Sequence, residues 1–177
     1  MSTGRRRGPG RLVAAAAVAL LLVVALAALA LVPRSDDLPA AVDAVVALGG
    51  TPGRVTLAAE IAASHDARLV LAGDSIAFGR EQGLACERDA LCLRPEPWTT
   101  AGEARGLATL ADEHGWETVV AATSDFHVNR ARMLLGQCLD EVAVVGTDAD
   151  PWTAAPWRST VRELAGMVAG LTVARAC

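Results

Sequence analysis

The sequence predicts an α/β protein: a mostly parallel sheet of four to five strands with helices on both faces, preceded by one membrane-spanning helix. Three observations carry this expectation. Short apolar runs alternate with helix-like patterns from residue 42 onward, as in strands joined by crossover helices. Those runs are apolar on both faces, as strands covered by helices on two sides must be. Finally, the stretch from Leu12 to Val32 contains no charged or polar side chain.

That apolar stretch would span about 31 Å as a helix, against a bilayer core of roughly 30 Å. Arg5, Arg6, Arg7 and Arg11 precede it, so residues 1–11 read as a basic cytoplasmic tail, 12–32 as the anchor, and the remainder as outside. Ala28-Leu29-Ala30 also resembles a signal-peptide cleavage site. A signal core of about 7–15 residues is shorter than this run, which favours an uncleaved anchor. Either reading places the folded domain beyond the cytoplasmic membrane. Residues 33–40 hold two prolines and read as a linker, so the extracytoplasmic domain is expected at 41–177.

Charge narrows the partners. The 16 basic residues are all Arg, as in high-GC coding sequences, and residues 33–177 carry 12 of them against 20 Asp plus Glu, a net charge of −8. A domain this acidic is a poor match for a nucleic-acid backbone. An oxidising location favours disulfides among Cys86, Cys92, Cys138 and Cys177. Three pairings are possible. Cys86 and Cys92 bracket a short loop and form the natural local pair, which leaves Cys138 with Cys177.

Val42–Leu48 reads as the first strand, followed by Gly49-Gly50-Thr51-Pro52-Gly53, where the backbone can approach a ligand closely. A helix is expected over 54–66. Arg54 lies in its first turn, where the helix dipole disfavours a cation. Its placement is explained by an anion at the preceding loop, a local ion pair or simple solvation. Arg68–Ala72 is the second strand. Residues 75–97 lack a clear period and read as a long stapled connection with at most one helical turn. Thr100 and Glu103 fit a capping box opening a helix to about His114. The third strand spans 117–122, a helix 127–139, the fourth strand 141–146, a turn 148–152, and a last helix 157–174.

The stretch Thr123-Ser124-Asp125-Phe126-His127-Val128-Asn129-Arg130-Ala131 is the richest in chemistry. A strand that ends on hydroxyls and feeds a helix is where open α/β sheets place ligands. Three further pieces match in order: Asp43-Ala-Val-Val-Ala-Leu48-Gly49, Arg54 with Ala58 behind it, and Thr100-Ala-Gly-Glu103-Ala104. Together they resemble the YdcF/SanA/ElyC-like family of bacterial envelope proteins, over about residues 42–145. The departures are Ala72-Gly73, where that family often has Ser-Gly, Ala104, where it has Asn, and the Cys86–Cys92 loop, into which the family's helix after the second strand is expected to be shortened. The resemblance implies a Rossmann-like three-layer fold. It also implies a role in cell-wall, peptidoglycan or lipid-carrier maintenance, with nucleotide-like or undecaprenyl-type ligands.

The expected cleft gathers Gly49, Gly50, Arg54, Thr100, Ser124 and Arg130 as ligand-binding residues, with His127 and Glu103 as catalytic candidates. Arginines, hydroxyls and helix N-termini suit a phosphate. His127 could move a proton or attack phosphorus. It could equally orient loops through hydrogen bonds, and Glu103 could be only a cap. Asp125 is an outside candidate for a metal or for Arg pairing; no metal or cofactor site is evident. His65 and His114 sit at helix ends as caps or surface groups. Three functions stay open at this point: a single-pass, membrane-anchored phosphoester or pyrophosphate enzyme, an anion- or nucleotide-binding module, and an interaction protein of the cell-wall machinery.

Overall fold

A computed structural model describes residues 14, 16–22, 34–147, 163, 165–170 and 176–177. Residues 1–32 and 33–177 form separate units. The second holds β1 (Ala44–Ala47), α1 (Pro52–His65), β2 (Arg68–Ala72), α2 (Ser75–Glu81), β3 (Leu91–Leu93) and α3 (Thr100–His114), then β4 (Thr118–Ser124), a 3-10 turn (Asp125–His127), α4 (Val128–Leu135) and β5 (Glu141–Thr147). The five strands form one sheet in the order β3-β2-β1-β4-β5. Every pairing is parallel. This is the strand order of a Rossmann-like α/β fold.

Alternation along the strands sorts the core into two layers. Val45, Ala47, Leu71, Val120 and Ala122 pack against Val55, Ala58 and Ile61 of α1 and Ile76 of α2. Val46, Leu48, Val70, Val119 and Ala121 pack against Ala104 and Leu107 of α3 and Val128, Ala131 and Leu135 of α4. All four residues of β1 are fully buried, which is why its sequence is apolar without alternation. Each such Val or Leu contributes about 1.5–3 kcal/mol by leaving water.

The helix ends follow local chemistry. Pro52 opens α1, where its missing N–H costs nothing. In α3, Thr99 accepts a hydrogen bond from Gly102 N, and Gly115 closes the helix in the left-handed region. This corrects the expected capping box: the cap is Thr99, Thr100 is the first helical residue, and neither Thr100 nor Glu103 serves the helix end.

Residues 75–97 differ most from expectation. They contain the complete helix α2 and the edge strand β3, which pairs with β2. Gly79 permits this, because a side chain there would press on Leu71 of β2. The segment expected as a free linker is also docked. Asp36 N bonds to Val144 O at 2.9 Å. Asp36 Oδ2 accepts from Val144 N at 2.8 Å and Arg132 Nε at 3.0 Å, and Ser35 Oγ accepts from Gly146 N at 2.8 Å. Residues 35 and 36 thereby cover the open edge of β5.

Cys86 is bonded to Cys92 and Cys138 to Cys177. The C-terminus is further held by Ala176 N to Gln137 Oε1 at 2.7 Å and Arg105 Nη1 to Ala176 O at 2.9 Å. The expected anchor at 12–32 and the expected elements at 148–152 and 157–174 lie largely outside the described residues. Residues 16–22, 163 and 165–170 are helical. Among the described residues no helix is long and apolar enough to cross a membrane.

Candidate functional site at the reversal of strand order

β1 and β4 are parallel neighbours, and the chain leaves β1 toward one face of the sheet and β4 toward the other. Open α/β sheets bind ligands beyond the carboxyl ends of such strands. Gly49 and Gly50 follow β1, Ser124 ends β4, and α3 presents Thr100 and Glu103. The structure therefore gathers the residues expected from the sequence, with roles set by their partners.

Arg54 is buried at 5 % exposure. Its Nε donates to Ser124 Oγ at 3.1 Å and its Nη1 to the carbonyl oxygens of Leu48, at 3.5 Å, and Gly49. The cation in the first turn of α1 is thus matched to carbonyls at the end of β1. It laces the β1 loop to the end of β4. Gly50 is required here, since a side chain would collide with the guanidinium.

Glu103 is 6 % exposed, and its Oε1 accepts from Gly49 N at 2.7 Å. A side chain at Gly49 would meet Glu103 Oε1 at 3.1 Å and Asp74 N at 3.3 Å, so glycine leaves this carboxyl its room. Burial pushes its pKa from 4.5 up to about 7, against the lowering effects of the Gly49 hydrogen bond, Arg54 and Arg130; the Asp74 charge adds to the rise. Glu103 is therefore substantially protonated near neutrality.

A second group centres on His127, 4 % exposed at the end of the 3-10 turn. Its Nδ1 lies 3.0 Å from Glu163 Oε2, and its Nε2 lies 3.4 Å from Thr100 Oγ1. Arg130, one helical turn on, grips Glu163 through Nε at 2.7 Å and Nη2 at 3.0 Å, and its Nη1 donates to Thr100 Oγ1 at 3.4 Å. Burial lowers the His127 pKa below 6.5; the Arg130 and Arg54 charges assist, and the Glu163 hydrogen bond opposes. For Glu163, burial alone would raise the pKa. The hydrogen bonds from His127 and Arg130, with their charges, outweigh it and bring the pKa down to about 2. The pair is an ionised carboxylate beside a neutral imidazole.

Several contributors were not evident in the sequence. Glu163 is the chief one. Gly166 and Gly170 follow it on one helical face, where side chains would press on Arg130 and on Met133 and Leu134 of α4. That spacing of a carboxylate and two glycines is the signal that could have found it. Ser75 is another, fully buried and donating to Leu48 O at 2.8 Å. The buried hydroxyls of Thr51 and Thr123 have no hydrogen-bond partner among the described residues. Asp125 starts the 3-10 turn and packs on Gly146, whose lack of a side chain leaves it room. No group of three or more His, Cys, Asp or Glu side chains able to hold a metal occurs among the described residues. His65 Nδ1 lies 3.1 Å from Ile61 O and His114 stacks on Trp116, as helix-end groups do.

No protein-family model, curated protein or solved structure matches the chain.

Proposed function

We propose that this site binds and hydrolyses a phosphate-containing ligand, and that the protein is an envelope protein of the YdcF/SanA/ElyC-like kind acting on a lipid-carrier phosphate or pyrophosphate. The observation that carries the chemistry is the opposite displacement of two buried titratable groups at one strand-order reversal. Glu103 holds its proton up to about pH 7, while His127 is held neutral. Environments that push two pKa values apart in this way assign an acid and a base. His127 Nε2 takes the proton from the attacking group. Glu103 delivers a proton to the departing oxygen. Arg130 and Arg54 supply positive charge for the phosphoryl oxygens as negative charge builds on them.

The envelope setting rests on the sequence resemblance, on the basic tail followed by an apolar stretch, and on the two disulfides, which suit an oxidising compartment. Within residues 16–22, Leu20, Leu21 and Leu22 are exposed, as side chains meeting lipid would be. The single-pass anchor with its N-terminus inside the cell is part of this reading.

A second reading has its own support. Arg54 directs Nε and Nη1 to Ser124 and to loop carbonyls, which suits a rigid cradle that holds an anion without converting it. Full-length protein in detergent, incubated with a polyprenyl pyrophosphate, separates the two. Hydrolysis predicts phosphate release that falls at least about 100-fold in His127→Ala, in keeping with general-base contributions. Binding that is lost in Arg130→Ala, with no release from the wild type, favours the cradle. Neither release nor binding by the folded wild type overturns both.

A further inference from the structure

We propose that Thr100 is the nucleophile of this site, deprotonated by His127 and oriented by Glu163. The inference rests on the phosphoryl-transfer reading above and names the attacking group that reading leaves open.

The hydrogen-bond inventory carries it. An ionised carboxylate only accepts, so His127 Nδ1 must be the donor to Glu163 Oε2 across their 3.0 Å contact. The neutral imidazole then carries its lone pair on Nε2. Arg130 Nη1 can only donate to Thr100 Oγ1. The Thr100 hydroxyl proton is therefore left for Nε2, 3.4 Å away. Carboxylate, imidazole and hydroxyl follow one another in the sense of a nucleophilic triad, and such contacts tighten when substrate binds.

Two features argue that this hydroxyl is not occupied in holding the fold. Thr99, not Thr100, accepts the capping bond from Gly102 N. Thr100 is the first residue of α3, where the positive end of the helix and Arg130 both favour a developing alkoxide. Among the other buried hydroxyls here, Ser124 Oγ takes its bond from Arg54 Nε, a group that cannot accept a proton, Ser75 Oγ gives its proton to Leu48 O, and Thr51 and Thr123 have no hydrogen-bond partner among the described residues to act as a base.

The reaction balances in two steps. Thr100 Oγ forms a bond to phosphorus as its proton passes to His127 Nε2. The bond from phosphorus to the departing oxygen breaks, and that oxygen takes the proton of Glu103. Water then attacks the phosphothreonine and gives a proton to the Glu103 carboxylate. The Oγ–P bond breaks, and Oγ recovers its proton from His127. The sum is one water and one phosphoester or phosphoanhydride converted to free phosphate and the departing group, an alcohol from a monophosphate or a polyprenyl phosphate from a pyrophosphate, with every side chain restored.

A fluorophosphonate reagent tests the nucleophile independently of the natural substrate, since its fluoride leaves without acid assistance. Folded full-length protein in detergent should gain one covalent adduct, and peptide mapping should place it on Thr100. Thr100→Ser should keep the adduct, and Thr100→Val should slow labelling roughly 100-fold or more. Glu163→Gln can offer an amide N–H to Nδ1, which moves the imidazole proton to Nε2; labelling should fall more than tenfold even in a folded variant. A wild type that is not labelled, or is labelled only at another residue, overturns the proposal. Phosphate release without a Thr100 adduct removes Thr100 and leaves the hydrolase reading standing. A Thr100 adduct without release from polyprenyl pyrophosphate keeps the nucleophile and removes that substrate.

Discussion

Replacing Glu103 with Gln should abolish a pH dependence of folding that the wild type shows between about pH 4.5 and 7. The folded-state pKa is raised from 4.5 to about 7 by burial. Below pH 4.5 the carboxyl is protonated both folded and unfolded. As pH rises, the unfolded chain ionises first, so stability drains away until the folded carboxyl also ionises near pH 7. At roughly 1.4 kcal/mol per pH unit the full loss is about 3 kcal/mol. Gln keeps an acceptor for Gly49 N and removes only the titration. His127 works in the opposite sense: its lowered pKa gives stability above 6.5 that is lost as pH falls. Glu163, lowered from 4.5 to about 2, gives stability lost as pH falls through that lower range. Both are common to the two proteins and cancel in the difference. Urea unfolding of full-length protein in detergent, with disulfides intact, should show Glu103→Gln gaining about 2.5 kcal/mol on the wild type between pH 5 and pH 8. That is a relative midpoint shift of about 1 M. Parallel stability curves for the two proteins would refute the buried, protonated state of Glu103.

The two disulfides should differ in worth. The Cys138–Cys177 bond closes 39 residues and the Cys86–Cys92 bond closes 6. By loop-closure entropy Cys138→Ser should cost about 4 kcal/mol and Cys86→Ser about 2 kcal/mol, measured by chemical denaturation. Equal costs would mean that the greater length of chain closed by Cys138–Cys177 adds nothing. Gly102→Ala should cost about 1–3 kcal/mol and slow turnover, because a side chain there presses on the Pro97 carbonyl and displaces the start of α3 with Thr100 and Glu103; unchanged melting and turnover would contradict that close approach.

Much of the fold is legible because its central strands lack polar residues. β1 and β4 are buried on both faces, so Val45-Val46-Ala47 and Val119–Ala122 read as strands without any alternation. β3 is illegible for the opposite reason. It is a three-residue, half-buried edge, and Leu91-Cys92-Leu93 is too short to show a period. α2 is obscured by Gly79, a poor helix residue that is present to fit against Leu71. Within the site, the spacing of Thr100 and Glu103 suggested a local capping box, but the long-range bonds to His127 and Gly49 win. Thr99 is free to cap, and Glu103 reaches Gly49 across 54 residues. Arg54 looked misplaced beside a helix dipole because the carbonyls that hold it are brought near only by the fold. Glu163 lies 36 residues beyond His127, so no local pattern ties the two.

In the proposed reaction a protonated Glu103 and a neutral His127 act together. The pH profile of kcat/KM for phosphate release from a polyprenyl pyrophosphate tests this most directly. A bell is predicted: an acid limb below 6.5 as His127 becomes protonated, and an alkaline limb at about 7 as Glu103 loses its proton. Glu103→Gln should be slower and should lack the alkaline limb. An alkaline limb that persists unchanged in that variant, or a wild-type rate still rising above pH 8, would contradict the acid–base pair.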